Sequence, residues 1–381
     1  MSDLDADQRL LDLAARVAMR SVGLVEPNPL VGAVVVRWDG GSPRVIGLGH
    51  HRRVGGWHAE REAIEDCLRR GENTKGASIY VTLEPCNHTG RQPPCTRAIL
   101  DAGIARVVMA RRDPNPVAAG GAEALESAGV HCRLSTASKA ATALSDPFVK
   151  RITTGMPWVV AKWAQTIDGR VATRSGESKW ISSDRSRRRV HRLRARVDAV
   201  LTGMGTVLAD DPMLTPREVR RVRRAAMRVI ADTDLDIPEN AKLIASARSV
   251  PTLVACAADL AAGPVTREKR DRLAAAGVGV IGVPTIGNRL DLRTLLKRLC
   301  SDHGVSSVLV ESGPGLLGSM LDADLIDELV VYVAPLMLGD EMARAAAAGR
   351  IAPTLAMAQR YELLRAKRID NDLEVIYRRR P

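Results

Sequence analysis

The chain has 381 residues, 45% of them apolar and 26% charged, with a formal net charge of +12. This is the composition of a globular chain long enough for two domains with separate cores, and no apolar run approaches the ~20 residues that span a bilayer. Aromatics make up only 3%, which argues against a single-strand nucleic-acid surface, where basic residues interleave with rings that stack on bases; an Arg-rich surplus interspersed with acids points to phosphorylated small molecules.

In chain order, Leu10, Leu11, Ala14, Ala15, Val17, Ala18 and Val22 recur at helical spacing and predict a first helix over 5–22. The acidic start, Met1-Ser2-Asp3-Leu4-Asp5, lacks the basic-then-apolar pattern of a signal peptide, so a cytoplasmic location is expected. Pro27-Asn28-Pro29 is a turn that cannot be helical, and it leads into a buried strand over Leu30–Val36. Asn28, polar and on a rigid turn entering a core strand, is open to two readings, turn chemistry or substrate contact. Asp39-Gly40-Gly41 turns the chain into a second strand over Val45–Gly49. Gly55-Gly56-Trp57-His58 leads into a helix over Ala59–Arg69, which puts His58 and Glu60 on its first turn, where a helix terminus favours a carboxylate. Ser78–Leu83 is the next strand; Pro85 suits the start of a further helical turn carrying Cys86. Cys95 opens a helix over Thr96–Ala102, stopped by Gly103 and followed by a strand over Arg106–Ala110.

One His and two Cys can give three ligands to a tetrahedral zinc and leave the fourth position to water. Glu60, two residues past His58, can then shuttle protons to and from that water, as in a zinc deaminase. Eight residues separate Cys86 from Cys95, where the nucleic-acid-acting form carries a close Cys-x-x-Cys pair. His88 and Arg91 project from the loop between the two Cys and border the metal, so they are candidate substrate ligands, with Arg91 able to meet a phosphate. A closed structural site would need a fourth ligand; His88 is the nearby candidate, and Glu60 would then have no assignment. Cys67, Cys132, Cys256 and Cys300 read as small buried or incidental thiols. A loop at Asp113–Pro116 lies beside the site and a short helix-strand pair over 122–134 follows. Alternating strands and helices over 1–145 predict a three-layer α/β/α domain, with a boundary near Ser145–Met156, where Pro147, Gly155 and Pro157 break the pattern.

The second half opens with a strand over Trp158–Ala164. Ser182 or Ser183 caps a helix over 184–197, with Val190, Leu193 and Val197 on its apolar side. Arg185, Arg187, Arg188, Arg189, Arg192, Arg194 and Arg196 all lie in it. One helix can hardly aim so many guanidinium groups at one ligand, so most form a solvated face and one or two are left for phosphate. A strand at Ala199–Thr202 runs into Gly203-Met204-Gly205, but no Gly-x-Gly-x-x-Gly with a downstream acid follows, which disfavours a standard dinucleotide fold. Arg228–Thr233, Pro251–Ala257 and Val278–Val283 are further strands. Ser306–Ser319 reads strand, Gly-rich turn, helix, an arrangement that brings backbone N–H groups to a pyrophosphate without a Walker lysine. Such turns are common in α/β proteins, whereas Glu311 at the strand's end is harder to explain structurally. Leu329–Pro335 and Leu373–Tyr377 supply the last strands.

His58-Ala59-Glu60 and the run Thr82–Cys95, with Gly90-Arg91-Gln92-Pro93-Pro94-Cys95, resemble the bifunctional riboflavin-biosynthesis deaminase/reductase family. The similarity covers about 8–378 and extends to Asp168-Gly169-Arg170, Gly176–Ser182, Val207–Pro212 and Glu311–Gly318. It implies an α/β fold, with a cytidine-deaminase-like three-layer domain over 1–150 and a dihydrofolate-reductase-like domain over 151–381. By that resemblance His58, Cys86 and Cys95 hold one zinc ion, Glu60 is the proton donor, and the Asn28 amide meets the substrate. In the second domain Ala164, Trp180, Thr206, Asp210, Thr233 and Gly313, Pro314, Gly315, Leu316, Leu317, Gly318, Ser319 match NADPH positions. Lys162, Ser178, Arg194, Leu214, Arg217 and Glu311 match substrate positions. Thr233 is a looser match, since Ala231-Asp232-Thr233 stands where relatives often carry Asp-Ser, and the basic stretch Pro216–Arg228 lacks a counterpart and reads as a variable loop. The implied chemistry is hydrolytic deamination of a diaminopyrimidinone ribosyl phosphate, then hydride delivery to C1 of the ribosyl chain. Expected partners are phosphorylated pyrimidines, with neither nucleic acid nor membrane, and further copies of the chain in a dimer or tetramer. The rivals are an RNA- or nucleoside-acting zinc deaminase with an accessory binding domain, and a non-enzymatic module.

Overall fold

The computed structural model describes residues 3–90, 92–219, 222, 225–349 and 352–379. The chain divides into two units, Met1–Gly155 and Met156–Pro381. No helix among the described residues is long and apolar enough to cross a membrane.

In the first unit β1 (Gly32–Asp39), β2 (Ser42–His50), β3 (Ser78–Val81), β4 (Arg106–Met109) and β5 (His131–Leu134) form one sheet in the order β2-β1-β3-β4-β5. β1 is antiparallel to both neighbours; β3, β4 and β5 are parallel. Gly32–Val36 is buried throughout because both faces of the sheet are covered. Ala33, Val35, Ile79, Val81, Val107 and Met109 pack on α2 (Ala59–Arg69), α3 (Cys95–Asp101) and α4 (Gly121–Ser127). Val34, Val36, Tyr80 and Val108 pack on α1 (Asp3–Ala18) and α5 (Lys139–Ala143), giving the three layers expected. α6 (Asp146–Thr154) ends the unit.

Two local expectations differ. α1 stops at Ala18, where a 3-10 turn over Met19–Ser21 takes the chain towards Pro27. No helical turn forms at Pro85. There the backbone groups bond outward instead, Glu84 N to Arg111 O, Asn87 N to Ala118 O and Thr96 N to Cys86 O, so the segment is an irregular loop.

The second unit is built on nine strands in the order β11-β10-β9-β8-β14-β6-β15-β18-β17. These are β6 (Trp158–Gln165), β8 (Ala199–Gly203), β9 (Met227–Ala231), β10 (Thr252–Ala257), β11 (Val278–Val283), β14 (Ser307–Val310), β15 (Glu328–Val333), β17 (Tyr361–Ile369) and β18 (Asp372–Arg379). β7 (Arg170–Ala172) pairs with β16 (Arg344–Ala345), and β12 (Thr285–Ile286) with β13 (Arg289–Leu290). The sheet is parallel from β11 to β15 and antiparallel through β18 and β17. One face packs on α12 (Leu292–His303) and α13 (Pro314–Asp322). The other packs on α8 (Met204–Asp210), α9 (Lys242–Ala245) and α11 (Arg267–Ala275), with α10 (Ala258–Ala262) flanking. α7 (Asp184–Arg194) sets Val190 against Val330 and Tyr332. Ser183 is its cap, accepting from Ser186 N, and the helix ends at Arg194 rather than continuing to 197. β17 was not expected: no residue from Tyr361 to Arg368 is buried, so the strand carries no inward-outward alternation to read. Parallel strands place their C-terminal ends on one edge, where Glu311 follows β14 and Gly203 ends the neighbouring β8.

Candidate active sites

In the first unit two helix N-termini converge. His58 is the N-cap residue of α2 and Glu60 lies in its first turn; Cys95 is the first residue of α3, and its N–H points at Cys86 Sγ at 3.5 Å. α2 can reach this position because β2 offers no side chain in its way: a Cβ on Gly49 would sit 2.1 Å from Ala59 O. His58 Nδ1 lies 3.4 Å from Cys86 Sγ and 3.3 Å from Cys95 Sγ. Tetrahedral zinc with ordinary Zn–N and Zn–S bonds separates such ligands by about 3.5 Å, so the donor set fits that metal. Among the described residues this is the one such cluster of three or more metal-ligating side chains. The hydrogen bond from Cys95, then that of His58, pulls the Cys86 thiol well down towards the thiolate a metal takes, while its bond to Cys86 pushes Cys95 up. Burial pushes the Glu60 carboxyl, 3% exposed, up to about 7, so it can hold or release a proton near neutrality.

Beside the triad, His51 stacks edge-on to His58 at 5.4 Å. Its Nδ1 donates to Trp57 O at 2.9 Å and burial keeps the ring neutral, so Nε2 accepts from Asn28 Nδ2 at 3.2 Å. The Asn28 amide is thereby oriented, with its oxygen left as an acceptor. His51 has no periodic or motif signal in the sequence and was missed. Glu84 was noted there only as part of a run. Its buried carboxylate accepts from Asp113 N and Ala122 N, each at 3.0 Å, and from Arg112 at 3.2 Å, and so fixes the loop beside the site. His88 sits in the loop between the Cys with a buried Nδ1 that has no hydrogen-bond partner among the described residues; Arg91 lies outside the described residues.

In the second unit the strand ends open onto a cleft of about 950 Å³, the size of a small-molecule site. It brings together all the substrate candidates, Lys162, Ser178, Arg194, Leu214, Arg217 and Glu311, and the cofactor candidates Ala164, Trp180, Thr206, Asp210, Thr233, Gly313, Pro314, Gly315, Leu316 and Ser319. Leu317 and Gly318 are not in it, because α13 turns them away: Leu317 is 3% exposed in the core, and a Cβ on Gly318 would sit 1.8 Å from Ala348 O. Thr206 Oγ1 accepts from Gly313 N at 2.9 Å, tying α8 to the start of α13, whose first-turn amides have no partner within the helix.

Glu311 receives Arg194 in a bidentate pair at 2.6 and 3.0 Å, with Lys162 Nζ at 3.8 Å. Burial raises the Glu311 carboxyl, but the Arg194 and Lys162 charges outweigh it and hold it below the usual range; burial lowers Lys162. Of the seven Arg around α7, Arg194 alone enters this ion-pair group; Arg189 meets Glu374 and Arg185 meets Asp370 at 2.8 Å. A basic annex of about 490 Å³ adjoins the cleft, lined by Arg187, Arg188, His191, Arg194 and Arg217. Arg289 and Arg344 also line the cleft, Arg289 donating to Ser319 Oγ at 2.9 Å, and neither meets a carboxylate among the described residues. These two carried no sequence signal.

Comparison with known proteins agrees with this geometry. Residues 4–111 match the cytidine and deoxycytidylate deaminase zinc-binding region, and residues 157–375 match the RibD C-terminal domain. The chain is 40% identical to the riboflavin biosynthesis protein RibD of Aquifex aeolicus, over 88% of this chain and 89% of that one. The solved structure of Acinetobacter baumannii RibD superposes with a TM-score of 0.82 at 34% identity, covering 100% of both chains. A Thermotoga maritima structure, described as a diaminohydroxyphosphoribosylaminopyrimidine deaminase/5-amino-6-(5-phosphoribosylamino)uracil reductase, gives a TM-score of 0.82 at 31% identity over 99% of this chain and 100% of that one. With a deaminase-type metal triad in one unit and a reductase-type cleft in the other, the chain belongs to the RibD family of bifunctional riboflavin-biosynthesis deaminase/reductases.

Proposed function

We propose that the first unit deaminates 2,5-diamino-6-(5-phosphoribosylamino)pyrimidin-4-one and the second reduces the resulting 5-amino-6-(5-phosphoribosylamino)uracil with NADPH. The observation that carries the first step is a buried Glu60 beside three convergent ligand atoms, His58 Nδ1, Cys86 Sγ and Cys95 Sγ. Zinc held by these three supplies Lewis acidity that lowers the pKa of water. Glu60 takes a proton and returns it to the departing amine, which leaves as ammonia; its raised pKa suits both roles. Asn28, oriented by His51, accepts from a substrate N–H.

In the second unit NADPH supplies the hydride. The α13 first-turn amides and the Arg289 and Arg344 guanidinium groups fit its phosphates. Lys162 holds and moves the accompanying proton, and Glu311, kept ionised by Arg194, orients its ammonium group. The annex, where Arg187, Arg188 and Arg217 outnumber Asp184 and Glu218, takes the ribosyl 5-phosphate.

A split assay on zinc-loaded protein tests both halves. Ammonia release without NADPH, then loss of nicotinamide absorbance once NADPH is added, is the expected order. Ammonia alone would reject the reductase assignment, and oxidation of NADPH on the undeaminated substrate would reject the order.

A further inference from the structure

The loop after α8 has a backbone that needs holding. Asp211, Leu214 and Glu218 take φ values of 39°, 53° and 55°, a region non-glycine residues seldom adopt. Leu214, 4% exposed, is anchored in the core below. On the polar side the loop meets two residues one turn apart on α7: Arg194 Nη1 donates to Thr215 O at 3.3 Å, and His191 Nδ1 receives Arg217 N–H at 3.3 Å. Arg194 Nη1 is also 3.4 Å from His191 Nδ1. An N–H group and a guanidinium can only donate, so Nδ1 carries the lone pair and the ring proton sits on Nε2. Burial, followed by Arg194 and Arg217, draws His191 below its ordinary value against the Thr215 carbonyl and Glu311, which agrees with an uncharged ring.

We propose that His191 is a positioning residue of the reductase: by accepting the Arg217 main-chain N–H it holds the Arg217 guanidinium over the annex, where it meets the phosphate of the phosphoribosyl substrate. This rests on the reading of the cleft as the reductase site. Among the described residues His191 Nδ1 is the acceptor of the Arg217 main-chain N–H, and His191 lines the annex with Arg217.

The test is steady-state reductase kinetics on the full chain carrying His191→Ala or His191→Asn. The asparagine carboxamide oxygen can stand where Nδ1 accepts. In His191→Ala the KM for the phosphorylated ribosylaminouracil rises about tenfold, the KM for NADPH stays within about twofold, and His191→Asn recovers most of the loss. With the dephosphorylated substrate the wild-type and His191→Ala proteins give the same KM. The proposal is overturned by an unchanged KM in His191→Ala, by equal losses in both variants, or by an equal effect on the dephosphorylated substrate. A wild-type protein that fails to oxidise NADPH with either substrate would instead overturn the reductase reading itself.

Discussion

At the scale of single residues, the two sites use buried carboxyl groups in opposite ways. Glu60 is left free to change protonation, and Glu311 is locked in its charged form. Glu60→Gln keeps the size and loses the proton, so deamination should fall by roughly 10²–10⁴-fold with zinc stoichiometry unchanged by metal analysis; Cys86→Ala should lose the zinc as well. Glu311→Gln leaves Lys162 and Arg194 as adjacent buried cations. Reduction should be lost, and thermal unfolding of the reductase unit should show a cost of roughly 3–5 kcal/mol, with ammonia release unaffected. The Glu311 carboxyl is lower in the folded state than its ordinary 4.5, so its contribution is complete above that value and drains away as pH falls through the folded one. Unfolding midpoints of the unit should therefore drop below about pH 4.5, less steeply in Glu311→Gln. His58, Glu60, Cys86 and Cys95 could be read from residue type and spacing alone. His51 and His191 could not. A solitary histidine acquires its part only from what folding brings to its ring, here Asn28 across 23 positions and Arg217 across 26.

At the scale of elements, placement rests on close approach and on ties between distant segments. Because β2 and α2 touch at Gly49, Gly49→Ala should push the α2 N-terminus outward and weaken zinc binding by about 10–100-fold in a chelator competition, while reduction continues. α7 is tied to the β17–β18 hairpin: Ser183 N and Ser186 Oγ donate to Asp372 at 2.8 and 2.5 Å, and Arg189, Arg365 and the Tyr332 hydroxyl converge on Glu374, 2% exposed. Glu374→Ala should lower the reductase unit's stability by about 3 kcal/mol or more, measured by denaturant unfolding. Elements buried throughout, such as β8 and β10, or carrying a helical stripe, such as α1, were legible in the sequence. β17 was not, because a strand exposed along its length has no pattern to show. The Pro85 segment misled for another reason, since local propensity was overridden by bonds to Arg111, Ala118 and Thr96.

At the scale of the whole molecule, a net charge of +12 acts on substrates that carry phosphate. Raising ionic strength from about 0.05 to 0.5 M should lower kcat/KM several-fold for the phosphorylated substrates, with a smaller effect when the phosphate is removed. The basic excess was readable from composition, but its concentration in the annex was not, because Arg217 and α7 meet only through the fold. One further cation belongs to neither site. Arg228, wholly buried, donates to Thr252 Oγ1, Ser246 Oγ and the carbonyls of Met213, Leu243 and Val250. Burial draws it down to about 10, so it stays charged. It is in effect an ion coordinated by the chain's own oxygens and held by a covalent tether, and through Met213 it helps set the cleft wall. A chelator can strip the ligand cluster of the first unit but has nothing to remove here, so exposure to EDTA should silence deamination while reduction of supplied aminouracil substrate persists.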